Sequence, residues 1–368
     1  MCNNKPPFMG ERVPLNSLCS KGKSTLRQKD LNTEGLYPVY GASGIIGYMD
    51  TYQNEHEYIA VVKDGAGVGR ATICSGKSSV LGTMQALLPN EGVECGYLLH
   101  LVRTLNLGSG FSGSTIPHIY FKDYGKRLVP SFSLKGQKDI SARFDKIESQ
   151  INLGNRILER CGQLVKSQFV EMFGDPTNGV AWPSKRLDEI CTIVTGNTPP
   201  RKDPSNYGDY IEWCKTDNIT DAKYLTTASE MLSEEGALRG RVVPAGSILM
   251  ACIAGSVKSI GKVAVADRSV AFNQQINALI PSEMIDVEYL LWALRLSKDY
   301  LCSGVNIQLK GILNKTSLSA KSFCVPPLAL QQQFAAFVAE VDKSRFVVQR
   351  QIEKLRTLYD SLAQEYFG

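Results

Sequence analysis

The residues with most chemical promise are amide, hydroxyl and cationic side chains gathered in short loops. The later part of the chain offers Gly196-Asn197-Thr198-Pro199-Pro200-Arg201-Lys202, then Trp213-Cys214-Lys215-Thr216-Asp217-Asn218-Ile219, then Asn273-Gln274-Gln275. Amides and hydroxyls can pair with base edges, and Lys and Arg with phosphates. The earlier part offers Tyr40-Gly41-Ala42-Ser43-Gly44 and the glycine-rich Gly65-Ala66-Gly67-Val68-Gly69-Arg70, preceded by Lys63. The candidates for nucleic-acid contact are therefore Gly41, Ser43, Lys63 and Arg70, together with Thr198, Arg201, Lys202, Lys215, Thr216, Asn218, Lys258, Asn273, Gln274 and Gln275. Taken singly, each Asn or Gly among them reads equally well as a turn former.

Catalytic constellations fail one after another. Gly22-Lys23-Ser24 and Gly76-Lys77-Ser78 lack the glycine that a phosphate loop needs five residues before its second glycine, since Ser17 and Ala71 stand there. The alternating Gly65, Gly67 and Gly69 open no strand-to-helix crossover with a ribose-binding acid, so they read as a bend where backbone approaches something closely. Asn4-Lys5-Pro6-Pro7-Phe8 is interrupted by Lys5 and has no cofactor-binding half before it, which rejects the base-clamping motif of amino-methyltransferases. No Glu is followed two residues later by Lys, so no metal-dependent nuclease core is visible. His56, His100 and His118 all fall in the first half and read as structural or surface residues, with His118 a minor candidate for touching a partner. Ten cysteines, the closest pair 17 residues apart, form no Cys-x-x-Cys motif and are expected as scattered reduced thiols.

These loops must be carried by a folded scaffold. The chain has 368 residues, of which 43% are hydrophobic and 21% charged, enough for two or three cored domains and too apolar for wholesale disorder. A net charge of +5 and a pI of about 8.6 allow a polyanionic partner without demonstrating one. Met1 to Pro14 lacks an apolar signal core, and the best apolar run, Ser247 to Val257, is too short for the ~20 residues of a membrane span. The expected location is the cytoplasm, with no membrane partner.

The chain is one unit written twice. Gln85-Ala86-Leu87-Leu88-Pro89 returns as Asn277-Ala278-Leu279-Ile280-Pro281, and Tyr97-Leu98-Leu99 with Arg103 returns as Tyr289-Leu290-Leu291 with Arg295, all displaced by 192 residues. Glu171-Met172-Phe173-Gly174 returns as Glu365-Tyr366-Phe367-Gly368, displaced by 194. Each copy ends in a heptad stripe. The first runs Ile140, Phe144, Ile147, Ile151, Leu158, Cys161, Val165 and Met172, breached at Gly154 and Gln168. The second runs Phe334, Val338, Val341, Val348, Ile352, Leu355, Tyr359, Leu362 and Tyr366, breached only at Arg345. Each stripe is a rod of roughly 50 Å at 1.5 Å per residue. Antiparallel pairing of the two would set opposite each other positions whose numbers sum to about 506, with the globular parts at opposite ends. Short runs such as Tyr58-Ile59-Ala60-Val61-Val62 and Ser247 to Ile253 predict strands, and Gly96 to Leu105 and Val287 to Leu301 predict helices. The expected fold is two α+β domains, 1–133 and 175–330, alternating with helical regions 134–174 and 331–368 that form an antiparallel coiled coil, a pseudo-two-fold tandem repeat.

In this setting, three stretches resemble the specificity subunit of type I restriction-modification systems. They are Tyr37-Pro38-Val39-Tyr40-Gly41-Ala42-Ser43-Gly44-Ile45-Ile46-Gly47-Tyr48; the Gly196 to Lys202 segment with Tyr210-Ile211-Glu212-Trp213 and Thr216-Asp217-Asn218-Ile219; and Pro326-Pro327-Leu328 before Gln331-Gln332-Gln333-Phe334. The first copy departs at Pro130-Ser131-Phe132-Ser133-Leu134, where the second has the fuller Pro326-Pro327-Leu328-Ala329-Leu330, and the chain is short for the family. The resemblance implies a non-catalytic chain whose two target-recognition domains each read half of a bipartite double-stranded DNA target. It implies modification (methyltransferase) subunits carrying S-adenosylmethionine and a restriction subunit using ATP and Mg²⁺ as partners, with no cofactor in this chain. Arg143, Lys146 and Glu148, or Gln349, Arg350, Glu353 and Arg356, would face the modification subunits from the outer helix faces. The competing reading is a non-catalytic scaffold whose two domains bind proteins or peptides; its interfaces would lack the steep salt dependence of DNA binding.

Overall fold

Every residue of Tyr58-Ile59-Ala60-Val61-Val62 is buried, as its β-branched and aromatic composition asks of a central strand. The strand pairs antiparallel with Ala71–Cys74 on one side and Met84–Pro89 on the other, and the latter pairs with Cys19–Lys21. A second sheet joins the Tyr37–Gly41 and Gly44–Met49 hairpin to Ser79–Val80, which lies parallel to Tyr37–Gly41. The computed structural model describes residues 11–32, 34–111, 116–178, 181–253, 259–303 and 312–368. The Asn4–Phe8 segment and the candidate Lys258 lie outside them.

The chain forms two compact units, and each takes residues from both copies of the repeat. The first comprises residues 1–156 and 349–368, the second residues 157–348. Both are built on the same plan. In the second, one four-stranded sheet runs Cys191–Thr195, Ile276–Pro281, Ile248–Ala251, Val263–Val265, and a second sheet, here also of four strands, again contains one parallel pair, Tyr207–Cys214 with Val270–Phe272. The correspondence extends to single hydrogen bonds. Tyr97 Oη donates to Pro130 O at 2.6 Å, and Tyr289 Oη donates to Cys324 O at 2.7 Å. Gln137 accepts from the backbone N–H of Glu94 at 2.8 Å, and Gln331 does the same for Asp286 at 2.8 Å. Glu94 and Asp286 in turn cap the helices Cys95–Thr104 and Val287–Leu296, accepting from N–H groups that have no partner inside the helix. Cys19 and Cys191 occupy the same edge-strand register, and burial pushes both thiols up to about 12. Cys19, Cys74, Cys95, Cys161, Cys191, Cys214, Cys252 and Cys302 are free thiols.

The helix expected to run unbroken from Val287 to Leu301 stops at Leu296 and resumes over Lys298–Cys302. Ser297, buried at the break with φ −109° and ψ 25°, donates its N–H to Leu294 O rather than one residue further back, which tightens the turn and turns Leu301 into the core.

The long helices run Leu134–Phe173 and Leu328–Phe367. Within the first unit Phe144 meets Tyr359, with ring centroids 4.8 Å apart, and Arg143 donates to Tyr366 Oη at 2.8 Å. Within the second unit Phe334 meets Phe169 at 5.3 Å and Phe173 at 5.7 Å. Position numbers of these pairs sum to between 503 and 509, so in both units the helix segments lie antiparallel in the register the heptads set. One part of the stripe is corrected. Beyond Val165 the buried positions are Phe169 and Phe173, whereas the heptads pointed to Gln168 and Met172. Here the helix packs on a globular layer as well as on its partner helix, stacking Phe169 on Tyr289 at 5.3 Å, and a four-residue step aims both rings at that layer.

Candidate nucleic-acid interface

The three polar loops of the second unit converge. Asn197 donates its backbone N–H to Phe272 O at 3.1 Å, and Asn273 donates its own to Cys214 O at 3.0 Å, which ties each loop to the next. Gly196 makes this approach possible, since a Cβ there would lie 2.2 Å from Asn273 O. Thr198 Oγ1 hydrogen-bonds Gln274 Oε1 across the junction.

At the centre stands Trp213, 3% exposed, whose indole N–H donates to Asn197 O at 3.2 Å. The Arg201 guanidinium lies 4.9 Å from the ring of Tyr207 and 5.1 Å from that of Trp213, and Lys215 Nζ lies 5.2 Å from Trp213. Glu230 binds both cations, Arg201 at 2.7 Å and Lys215 by a short contact. The Lys215 hydrogen bond and the Arg201 ion pair hold its carboxyl below the usual carboxylate range. Lys202 is exposed and makes no ion pair among the described residues. Behind this cluster, Arg268 grips Glu212 with two bonds of 2.7 Å, and Glu212 accepts from Ala228 N–H at 2.6 Å, which fixes the segment that carries Glu230.

The candidates divide by environment. Arg201, Lys202, Lys215, Thr198 and Gln274 share one surface. Thr216 is half-buried in the tight turn Thr216–Asn218. Asn218 is buried, accepting from Lys215 N–H at 2.9 Å and donating to Thr227 O at 3.1 Å, so its amide holds the loop. Asn273 likewise spends its side chain on Gln275, accepting from the backbone N–H and donating to Oε1, both at 3.1 Å.

In the first unit Lys63 and Arg70 flank one loop in which Gly65, Gly67 and Gly69 all have φ near +85°. Gly69 makes the expected close approach, leaving only 2.3 Å between a Cβ and Gly108 N. Lys63 is half-buried, with its backbone paired to Thr83 and Ile119; Arg70 is exposed and donates to Gly67 O at 3.4 Å. Gly41 and Ser43 stand on a different element, the tip of the Tyr37–Met49 hairpin, with Gly41 buried against Ile46 and Ser43 exposed. The Leu81–Thr83 connection bridges the two elements, Leu81 N–H donating to Tyr40 O and Lys63 N–H to Thr83 O, each at 3.0 Å.

His118, the minor candidate for touching a partner, lies next to this loop, pairs with Asp64 at 2.7 Å and stacks with Tyr120, while buried His100 sits between Tyr359 and Asp145. Tyr207 and Glu230 escaped the sequence reading, since they carry no local signal. Lys262 did carry one: displacing Arg70 by 192 residues lands on it, and it pairs with Asp221 at 2.9 Å. On the long helices, Arg143 and Glu148 serve the fold itself, Arg143 by binding Tyr366 and Glu148 by an ion pair with Arg103 at 2.6 Å, which takes both away from a free outer face. Among the described residues no group of three or more His, Cys, Asp or Glu could hold a metal ion, and no helix is long and apolar enough to cross a membrane.

The sequence matches the model of the type I restriction modification DNA specificity domain twice, over residues 11–161 and 179–356. The chain belongs to that family. Among relatives of this specificity-domain chain, the Type I restriction enzyme HindI specificity subunit of Haemophilus influenzae is 30% identical over 116 residues, 31% of this chain and 24% of the relative. The MjaIX specificity subunit of Methanocaldococcus jannaschii is 28% identical over 115 residues, 30% of this chain and 26% of the relative. The chain thus matches about a quarter of the length of each. Its fold is that of a type I restriction-modification S subunit from M. genitalium, with a TM-score of 0.61 at 14% identity, covering 100% of this chain and 98% of that one. A chain from a study of the assembly and conformational transition of a type I restriction-modification system gives 0.59 at 17% identity, with 98% of both chains covered.

Proposed function

We propose that this chain is the DNA sequence-specificity subunit of a type I restriction-modification complex, and that each compact unit reads one half of a bipartite target. The observation that carries this reading is the double match to the specificity domain, one match beginning in each unit and each unit built on the same pair of sheets. Arg201, Lys202 and Lys215 in the second unit, and Lys63 and Arg70 in the first, contact phosphates, while Thr198, Gln274 and Ser43 are placed to meet base edges. The chain is non-catalytic. Methyl transfer belongs to modification subunits that carry S-adenosylmethionine, and cleavage to a restriction subunit that uses ATP and Mg²⁺, all in the cytoplasm. Lys146, Gln349, Glu353 and Arg356, exposed on the long helices, are offered to the modification subunits.

The purified chain should bind duplex DNA with affinity falling log-linearly in salt, and should neither methylate nor cut it. Adding a modification subunit and S-adenosylmethionine should produce adenine methylation at one bipartite motif. Salt-insensitive binding would favour the protein-scaffold reading, and methylation by the chain alone would defeat the non-catalytic role.

A further inference from the structure

The carboxylate of Glu230 sits where a nucleic-acid surface has least use for one. It contacts Arg201 and Lys215, the two cations stacked on Trp213, and its own carbonyl accepts the Trp213 backbone N–H at 3.0 Å, which fixes its main chain beside them. As a contribution to stability the arrangement is modest, because solvent screens ion pairs this exposed. As an influence on DNA binding it is large, because it cancels one of two charges that would otherwise attract any phosphate.

We propose that Glu230 is a specificity-determining residue: it restrains Arg201 and Lys215 so that they exchange the carboxylate for phosphate only on DNA that also engages the neighbouring Thr198–Gln274 pair. The inference rests on the DNA-reading function proposed above. Two cations freed on a rigid aromatic base would bind backbone of every sequence equally. With the carboxylate present, each cation must give up an existing partner, and that loss is offset only where base contacts form alongside. Affinity for random DNA falls more than affinity for the target, which is what discrimination consists of. Among its described residues the first unit shows no such device. The parallel strand pairing that aligns Trp213 with Ala271 aligns Val39 with Ser79, so Val39 and Gly41 occupy the places of Trp213 and Lys215. Glu230 therefore governs one half-site.

The test measures binding of the full chain to a random-sequence duplex across a salt series. Glu230→Gln should tighten random binding about ten-fold at low salt and steepen the log–log salt slope by about 0.9, the contribution of the one further phosphate that the freed charge neutralises. Glu283→Gln, which removes an exposed carboxylate elsewhere in the same unit, should change neither. In an Arg201→Ala, Lys215→Ala background, Glu230→Gln should have no effect. Assembled with a modification subunit, Glu230→Gln should spread methylation to sites altered in one half only. A folded Glu230→Gln with wild-type slope and random affinity overturns the inference, as does tightening that survives the loss of both cations. If the wild-type chain shows no salt-dependent duplex binding, the DNA-reading function fails, and this inference with it.

Discussion

The two copies agree where they build and differ where they face outward. The Tyr97–Pro130 and Tyr289–Cys324 bonds, and the Gln137–Glu94 and Gln331–Asp286 bonds, agree to within about 0.1 Å. Arg103 donates to Ala71 O at 3.2 Å and Arg295 to Val263 O at 3.4 Å, carbonyls again 192 residues apart. Along the sheet that holds the parallel pair the likeness ends. Leu81 and Asn273 each donate a backbone N–H at 3.0 Å to Tyr40 O and Cys214 O, yet the residues that follow are Gly82-Thr83 in one copy and Gln274-Gln275 in the other. One backbone frame thus carries two unrelated side-chain surfaces, as expected if the frame is constrained by burial and the rim only by what it touches.

The largest effect that could break this comparison is an exchange of domains. Replacing residues 182–330 with the second recognition domain of another family member should replace one half-site of the methylation motif and leave the other intact, as methylome sequencing reads out; a change in both halves would mean the rims do not act separately. Next in size is loss of an aromatic anchor. Phe367 packs on Tyr97 at 5.7 Å and Phe173 on Tyr289 at 4.9 Å, so Phe173→Ala and Phe367→Ala should each cost about 3–5 kcal/mol by urea denaturation. Tyr97→Phe and Tyr289→Phe should each cost roughly 1–2 kcal/mol, and a clear inequality would show the two cores to be less alike than their bonds. The smallest effect is particular to the second copy. The Arg268 hydrogen bonds hold the Glu212 carboxyl below its ordinary range, so their stabilisation is present above the unfolded-state pKa and is lost as pH falls through the depressed one. Thermal melts of wild type and Glu212→Gln should differ at neutral pH and converge in acid.

The frame was legible in the sequence because its constraints repeat. Burial demands apolar residues at fixed steps, and a duplicated core rewrites the same steps 192 residues later, which exposed the strand and helix around residues 85–103 and both heptad stripes. The three loops of the second unit were legible as loops, and their meeting follows from strand order. What stayed hidden depends on partners distant in sequence. Phe169 and Phe173 turn inward because Tyr289 and Phe334 are there to receive them, and Glu230 matters only beside Arg201 and Lys215. The correspondence of Val39 with Trp213 is invisible to comparison of residues, since only the strand register reveals it. Asn218 and Asn273 show the reverse limit: residue type suggested readers, and geometry made them braces.

The exchange of helix ends sets an order of events on the ribosome. The second unit is one continuous stretch, residues 157–348, whereas the first needs residues 349–368 to complete a core that includes Tyr366 and Phe367. A nascent chain therefore holds an unfinished first domain, its Tyr97 and Phe144 lacking the rings that cover them, throughout synthesis of the second. The domain that begins first is the one completed last, and for some two hundred residues of elongation its open side is the surface chaperones have most reason to meet.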